Sequence, residues 1–325
     1  METRTLGKSG LRCGRIGLGC ATFGREIDQD QAFRIMDHAV EHGISLFDTA
    51  EAYGGGQARA YRKNQFGTED EREVSGEMHS SEKIVGRWIR SRGARDKIVL
   101  LTKVTANFTP AHVREALAAS LERLQTDVID LYLYHQFDAN SPVAEAAEAA
   151  DEGVRRGFVR AAGCSNYTGA QLTAALDEAR ARSFARFEVV ENNYNLAIRD
   201  IETDLLPVTQ RESIGVITYS PLGAGFLTGK YTADRNAFPK GTRFDVIPGH
   251  ADVYFSDHNF AVVENLRKAS EQSGIPATKL AMAWVLRNPS VDVVLVGART
   301  IAHLDNALSA LELADLPSAL PVIQR

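Results

Sequence analysis

Four side chains that can hold or move a proton stand just beyond short apolar runs. Asp48 and Tyr53 fall in Phe47-Asp48-Thr49-Ala50-Glu51-Ala52-Tyr53, Lys103 closes Ile98-Val99-Leu100-Leu101-Thr102, and His135 closes Asp130-Leu131-Tyr132-Leu133-Tyr134. A tyrosine titrates near pH 10, so about one phenol in a thousand is ionised at pH 7. Tyr53 is thus suited to give a proton to a carbonyl oxygen becoming an alkoxide. An ammonium at Lys103 would favour the phenolate and lower that pKa. Asp48 would neutralise and place Lys103, because a lone buried ammonium is costly. His135 would hydrogen-bond the substrate oxygen and orient it. Alone, Asp48 reads as a loop cap, Tyr53 as a rim aromatic and His135 as a structural histidine. Lys103 is harder to explain that way, since a lysine ending an apolar strand must find a partner. The joint placement at three successive strand ends points to chemistry.

The elements that must position these groups alternate. Apolar runs predict eight strands at Ile16–Gly19, Ser45–Thr49, Ile98–Lys103, Asp130–His135, Arg160–Ser165, Glu188–Asn192, Gly215–Ser220 and Val293–Gly297. Near-continuous apolar strands are buried on both faces, the pattern of a parallel sheet. Between them, helical spacing predicts Asp28–Glu41, Ser81–Ser91, a helix from Thr109 through Leu124, Ser141–Arg156, Thr168–Arg180, Asp200–Glu212, Pro276–Arg287 and Ile301–Glu312. Eight βα units over 325 residues predict a single-domain (β/α)8 barrel spanning residues 1–325. The alternative, a doubly wound open sheet, would advertise G-x-G-x-x-G after its first strand, and Gly17-Leu18-Gly19-Cys20-Ala21-Thr22-Phe23-Gly24 misses that spacing. Two long stretches follow strands and so belong on the C-terminal rim: a charged insertion at 57–79, and the Gly-, Pro- and aromatic-rich Leu222–Asn259.

A formal net charge of −5 argues against nucleic acid as the main partner, since phosphate binding needs a basic surface. No apolar run reaches the roughly 18 residues of a membrane helix, and the start lacks the apolar core of a signal peptide. Cys13, Cys20 and Cys164 form no C-x-x-C pair, which predicts a reducing, cytoplasmic setting. His79, His250 and His258 lack ligand spacing, so no metal is expected.

At these strand ends the sequence resembles the aldo-keto reductases, a family of (β/α)8 barrels that bind NADP(H) without a Rossmann motif. The resemblance covers nearly the whole chain. It implies that Tyr53 is the proton donor and that Asp48, Lys103 and His135 complete a tetrad. It also implies a cofactor site. Gly163-Cys164-Ser165-Asn166-Tyr167 resembles the segment whose Ser and Asn, here Ser165 and Asn166, hold the nicotinamide carboxamide. Glu191 stands where the family usually has Gln; a carboxylate accepts from the carboxamide NH2 but cannot donate to its oxygen. Tyr219 matches the aromatic that stacks on the nicotinamide, and Cys20 and Ala21 fall beside it. Ser220-Pro221-Leu222-Gly223-Ala224-Gly225 through Lys230 resembles the pyrophosphate loop, with Arg243 as a further phosphate contact. Gly297-Ala298-Arg299 matches the segment meeting the adenosine 2′-phosphate. His303 falls where Gln is frequent, and Asn306 is one place before the family's adenine-contacting Asn, which aligns with Ala307. The insertion at 57–79 is the largest departure, expected to shape the substrate pocket or an interface.

The expected activity is NADPH-dependent reduction of an aldehyde or ketone to the alcohol. The pocket is expected to be apolar, with room for a ring, lined by Phe23, Tyr53, Tyr134, His135, Phe137 and loop aromatics from Phe226, Phe244 or Tyr254. The partner is then a small carbonyl or alcohol, and a homo-oligomer is compatible with the sequence. Two alternatives follow from the same residues: a cofactor-sensing regulatory subunit of this fold, or a barrel hydrolase using Asp48 with Glu191.

Overall fold

The computed structural model describes residues 1–67 and 73–313. A hairpin of β1 (Thr3–Thr5) and β2 (Arg12–Gly14) comes first, followed by the barrel strands β3 (Ile16–Gly19), β4 (Leu46–Asp48), β5 (Val99–Val104), β6 (Ile129–Tyr134), β7 (Val159–Ser165), β8 (Phe187–Asn193), β9 (Gly215–Tyr219) and β10 (Val293–Gly297). Strands β3 to β10 pair in parallel in chain order and close through β10–β3. The expected (β/α)8 barrel is therefore the fold, and no strand end lies more than one residue from its expected place.

The outer layer contains α1 (Gln29–Glu41), α2 (Gly55–Phe66), α3 (Ser80–Arg92), α4 (Pro110–Leu124), α5 (Val143–Arg155), α6 (Gly169–Arg182), α7 (Leu205–Glu212), α8 (Arg243–Val246), α9 (His250–Tyr254), α10 (Asp257–Ser273), α11 (Ala277–Leu286) and α12 (Ile301–Ser309). Local chemistry starts several of them. Asp28 accepts from the Gln31 backbone N–H at 2.8 Å, and Thr168 with Gln171 forms a reciprocal capping box.

Three features depart from expectation. The β1–β2 hairpin seals the bottom of the barrel: Leu6, Leu11 and Cys13 pack on the inward-facing Leu46, Leu101, Leu131, Val189, Ile217 and Leu295. The approach is close at Gly7, whose φ is +54° and where a Cβ would lie 2.5 Å from the Glu188 carbonyl. The charged insertion is partly a helix, α2, with almost no apolar stripe for periodicity to reveal. Its Arg62 pairs with the buried Glu73, and His79 and Gln57 bond each other across the segment. Helix α10, started by Ser256 accepting from the Asn259 N–H, lies outside the expected helices, although Val262, Leu266 and Ala269 carry a helical stripe.

Candidate active site

Alternation along the strands builds the site. Leu46, Leu101, Val189 and Ile217 belong to the apolar cluster inside the barrel, and two residues further on stand Asp48, Lys103, Glu191 and Tyr219. A period of two keeps each pair on one face, so the apolar plug ends in a polar layer at the C-terminal mouth. Lys103 is fully buried there. It donates to Asp48 and to the Thr49 carbonyl at 3.1 Å, and Glu191 Oε2 lies 3.3 Å from its Nζ. Tyr53, in the loop after β4, sets its ring 5.2 Å from the Lys103 ammonium. The phenol oxygen is 3.5 Å from His135 Nε2, and the two rings meet edge to face. That last distance is long for a hydrogen bond, as catalytic contacts often are before substrate binds. The four candidate catalytic residues are thus brought together.

The charges of this cluster compete. Burial opposes the Lys103 ammonium, but Asp48 and Glu191 outweigh it and hold the lysine charged. Two carboxylates share that one cation. Burial and the charge of Asp48 push Glu191 up to about 8, against the pull of Lys103. Burial also raises the Tyr53 phenol; Lys103 pulls it down, and Asp48 and Glu191 push it up again. The expectation that Lys103 would leave Tyr53 with a lowered pKa is therefore corrected: the ammonium moderates a net rise. Burial and Lys103 drive His135 down to about 3, so it is a neutral imidazole at pH 7. The mouth presents a protonated phenol and a neutral imidazole side by side.

A cleft of about 640 Å³ opens over this layer, within the range of ligand pockets. The sequence matches the aldo/keto reductase family over residues 15–319. The chain belongs to that family. It is 33% identical to an uncharacterized oxidoreductase, YrpG, of Bacillus subtilis (strain 168), over 97% of this chain and 92% of that protein. It is 31% identical to the aldo-keto reductase YhdN of the same organism, over 94% and 87%. It is also 29% identical to a probable voltage-gated potassium channel subunit beta of Arabidopsis thaliana, over 99% and 94%.

In this aldo/keto reductase the cleft runs from Asp48, Tyr53 and His135 past Ala21, Ser165, Asn166, Glu191, Tyr219, Ser220, Pro221, Leu222 and Gly225 to Lys230, Arg243, Gly297, Arg299, His303 and Asn306. Ala307 lines it as well, next to Asn306. Two expected residues do not reach it: Cys20 is buried with its thiol toward the Leu18 carbonyl, and Gly223 sits inside a turn against the Tyr254 ring. The expected aromatic pocket is also corrected. Phe23 is buried in the core, Tyr134 donates to the Ala146 carbonyl and stacks on Phe108, and Phe137 faces a separate small cavity. Tyr134 fails because it is the last β6 residue and points outward to the helices, one register place from His135. Phe226, Phe244 and Tyr254 pack on one another within the long rim loop. Among the described residues, none of 57–79 lines the cleft.

The residues present fit a nicotinamide dinucleotide. Tyr219 donates to Asn166 Oδ1 at 2.6 Å, which holds an aromatic ring beside a carboxamide side chain. Asn166 and Ser220 both have positive φ, +59° and +56°, so the mouth carries backbone strain where these groups are aimed. His135 Nδ1 is buried without a hydrogen-bond partner, and Glu191 Oε2 is buried with the Lys103 ammonium 3.3 Å away. Gly225 and Gly297 expose bare backbone near Lys230 and Arg299. Reading the sequence missed Thr22, Arg25, Glu26 and His250, which line the cleft too. It also missed a His-x-x-x-His pair at the C-terminal end of α1: His38, Glu41 and the capping residue His42 bring possible metal-ligand atoms within 4.8 Å of one another, on a partly exposed face.

Proposed function

We propose that this protein reduces an aldehyde or ketone to the alcohol with NADPH. A bound reduced nicotinamide supplies the hydride; the chain's own residues supply the rest. Tyr53 holds the proton that the carbonyl oxygen takes up as negative charge develops on it. The neutral His135 imidazole donates from the ring nitrogen facing that oxygen, fixing its direction. Lys103 sits under the phenol and stabilises the phenolate left behind, while Asp48 keeps the ammonium in place. General acid catalysis of this kind contributes about 10²–10⁴ in rate. The observation that carries the reading is the Lys103 ammonium clasped by Asp48 beneath the ring of Tyr53.

Ser165, Asn166 and Tyr219 would hold the nicotinamide, and Lys230, Arg243 and Arg299 the phosphates, which favours NADPH over NADH. Three buried cysteines without disulfides are in keeping with a cytoplasmic setting. Among the described residues, no helix is long and apolar enough to cross a membrane. Asp48 and Glu191 both converge on Lys103, which disfavours a hydrolase built on that carboxylate pair. A second reading, a cofactor-sensing regulatory subunit, is favoured by the likeness to the Arabidopsis protein. The test is NADPH oxidation against a panel of aldehydes, ketones and keto-sugars, with NADH in parallel. Turnover of some carbonyls, faster with NADPH, is the expected result; tight NADPH binding without turnover would leave the regulatory reading.

A further inference from the structure

The last turn of α1 carries a spacing that imidazole ligands use. In His38-Ala39-Val40-Glu41-His42 the two histidines stand four residues apart, and Glu41 stands three from His38. Both spacings bring side chains together on one side of a helix. Ile35, Met36 and Ala39 are buried, which leaves the three polar groups on the flank of the helix. His38 is partly buried, and Glu41 and His42 are exposed. The imidazole rings lie with their centroids 4.0 Å apart. One ligand atom from each of His38, Glu41 and His42 lies within 4.8 Å of the other two. Around a tetrahedral ion with bonds of about 2.0–2.1 Å, ligand atoms stand about 3.4 Å apart. Small side-chain rotations would close the set.

Two further contacts prepare the imidazoles to be ligands. His42 Nδ1 is 2.9 Å from the His38 carbonyl oxygen. A carbonyl only accepts, so Nδ1 carries the proton and Nε2 keeps its lone pair in the neutral ring. His38 Nε2 is 2.7 Å from Asp305 Oδ1, on α12. A histidine that binds a metal through one nitrogen characteristically gives its other N–H to a carbonyl or a carboxylate. Asp305 belongs to the site by either nitrogen of His38: it stands behind the ligand when Nδ1 binds, and is a fourth ligand when Nε2 does. Glu41 and Asp305 bring the charge that a dication needs, and the C-terminal end of a helix favours a cation.

We propose that His38, Glu41 and His42, together with Asp305, bind a divalent transition-metal ion of the zinc class and so tie α1 to α12. Imidazole with carboxylate suits such an ion, whereas Mg2+ takes oxygen ligands. The consequence is mechanical. Helix α12 carries His303, Asn306 and Ala307, which line the cleft. Gln31, near the start of α1, already donates to the Arg299 carbonyl at 3.4 Å. The ion adds a second tie, at the end of α1, to the same wall. None of the four side chains lines the cleft, so the site is independent of how the cleft is used.

Calorimetric titration of the full chain, freed of metal with EDTA and dialysed, tests this with ZnCl2 and in parallel with MgCl2. Zn2+ is expected to bind with a dissociation constant in the micromolar range, and Mg2+ to give no measurable binding at the same concentrations. His38→Ala, His42→Ala and, at an exposed position, Glu41→Gln should each weaken Zn2+ binding by at least about tenfold, and Asp305→Asn by about tenfold. Saturating Zn2+ should raise the thermal unfolding midpoint of the wild type and leave that of His42→Ala where it was. No Zn2+ binding by the wild type, or equal binding of Mg2+, overturns the proposal. Zn2+ affinity undiminished in both His42→Ala and Glu41→Gln would place the ion elsewhere and overturn it too. Affinity unchanged in Asp305→Asn would overturn the tie between α1 and α12.

Discussion

Two charged clusters face the same cleft with opposite imbalances. Beneath Tyr53, two carboxylates share one ammonium; elsewhere along the cleft, three guanidinium groups, of Arg25, Arg243 and Arg299, share one carboxylate, Glu26. The first cluster resolves its excess internally, because burial and Asp48 let Glu191 keep a proton near neutral pH. The second has no such recourse, since arginine does not give up its proton in proteins. A cluster that can neutralise itself is suited to holding a proton donor at fixed charge. One that cannot is suited to receiving an anion from outside.

The largest effect should come from breaking the first cluster. Lys103→Met leaves Asp48 and Glu191 buried without their cation, and the loss of stability should be about 3–5 kcal/mol by chemical denaturation. A loss below about 1 kcal/mol would show that the lysine is not what holds the carboxylates in place. The second cluster should be far more tolerant, because Arg25 and Arg299 belong to loops and Arg243 only opens the four-residue α8. There Arg299→Ala should cut the preference for NADPH over NADH, measured as a ratio of kcat/KM, by about tenfold. An unchanged ratio would remove Arg299 from phosphate recognition.

The smallest effect sharpens the contrast. The folded protein holds Glu191 up to about 8 from an ordinary 4.5, so between those values the folded state binds the extra proton. Stability is then present below pH 4.5 and is lost as pH rises toward 8. Glu191→Gln removes that dependence, so its stability relative to wild type should increase with pH across this window. A difference that stays flat from pH 4.5 to 8 would mean that Glu191 is ionised throughout. His135 works in the opposite direction: held neutral, it costs stability as pH falls below 6.5.

The barrel was legible because strands buried on both faces leave continuous apolar runs, and a polar residue closing such a run, as Lys103 does, has few places to go. Residues on strands were therefore located well, while the inward alternation of Leu101 with Lys103 came from the structure. Residues in loops were not. Arg25 and Glu26 carry no signal beyond charge, and only the fold turns them toward the cleft. The aromatic pocket failed for the converse reason: hydrophobicity marks Phe23, Tyr134 and Phe137 for burial, and whether burial means core or pocket depends on register. Helix α2 was invisible because ion pairing, not an apolar stripe, ties it down.

The central claim is that the phenol of Tyr53 delivers the proton while the cofactor binds independently of it. Single-turnover NADPH oxidation by Tyr53→Phe, with NADPH affinity measured on the same preparation, tests it most directly. The claim predicts that carbonyl reduction falls at least a hundredfold with NADPH affinity kept within about a factor of three. Reduction at the wild-type rate in Tyr53→Phe would contradict it.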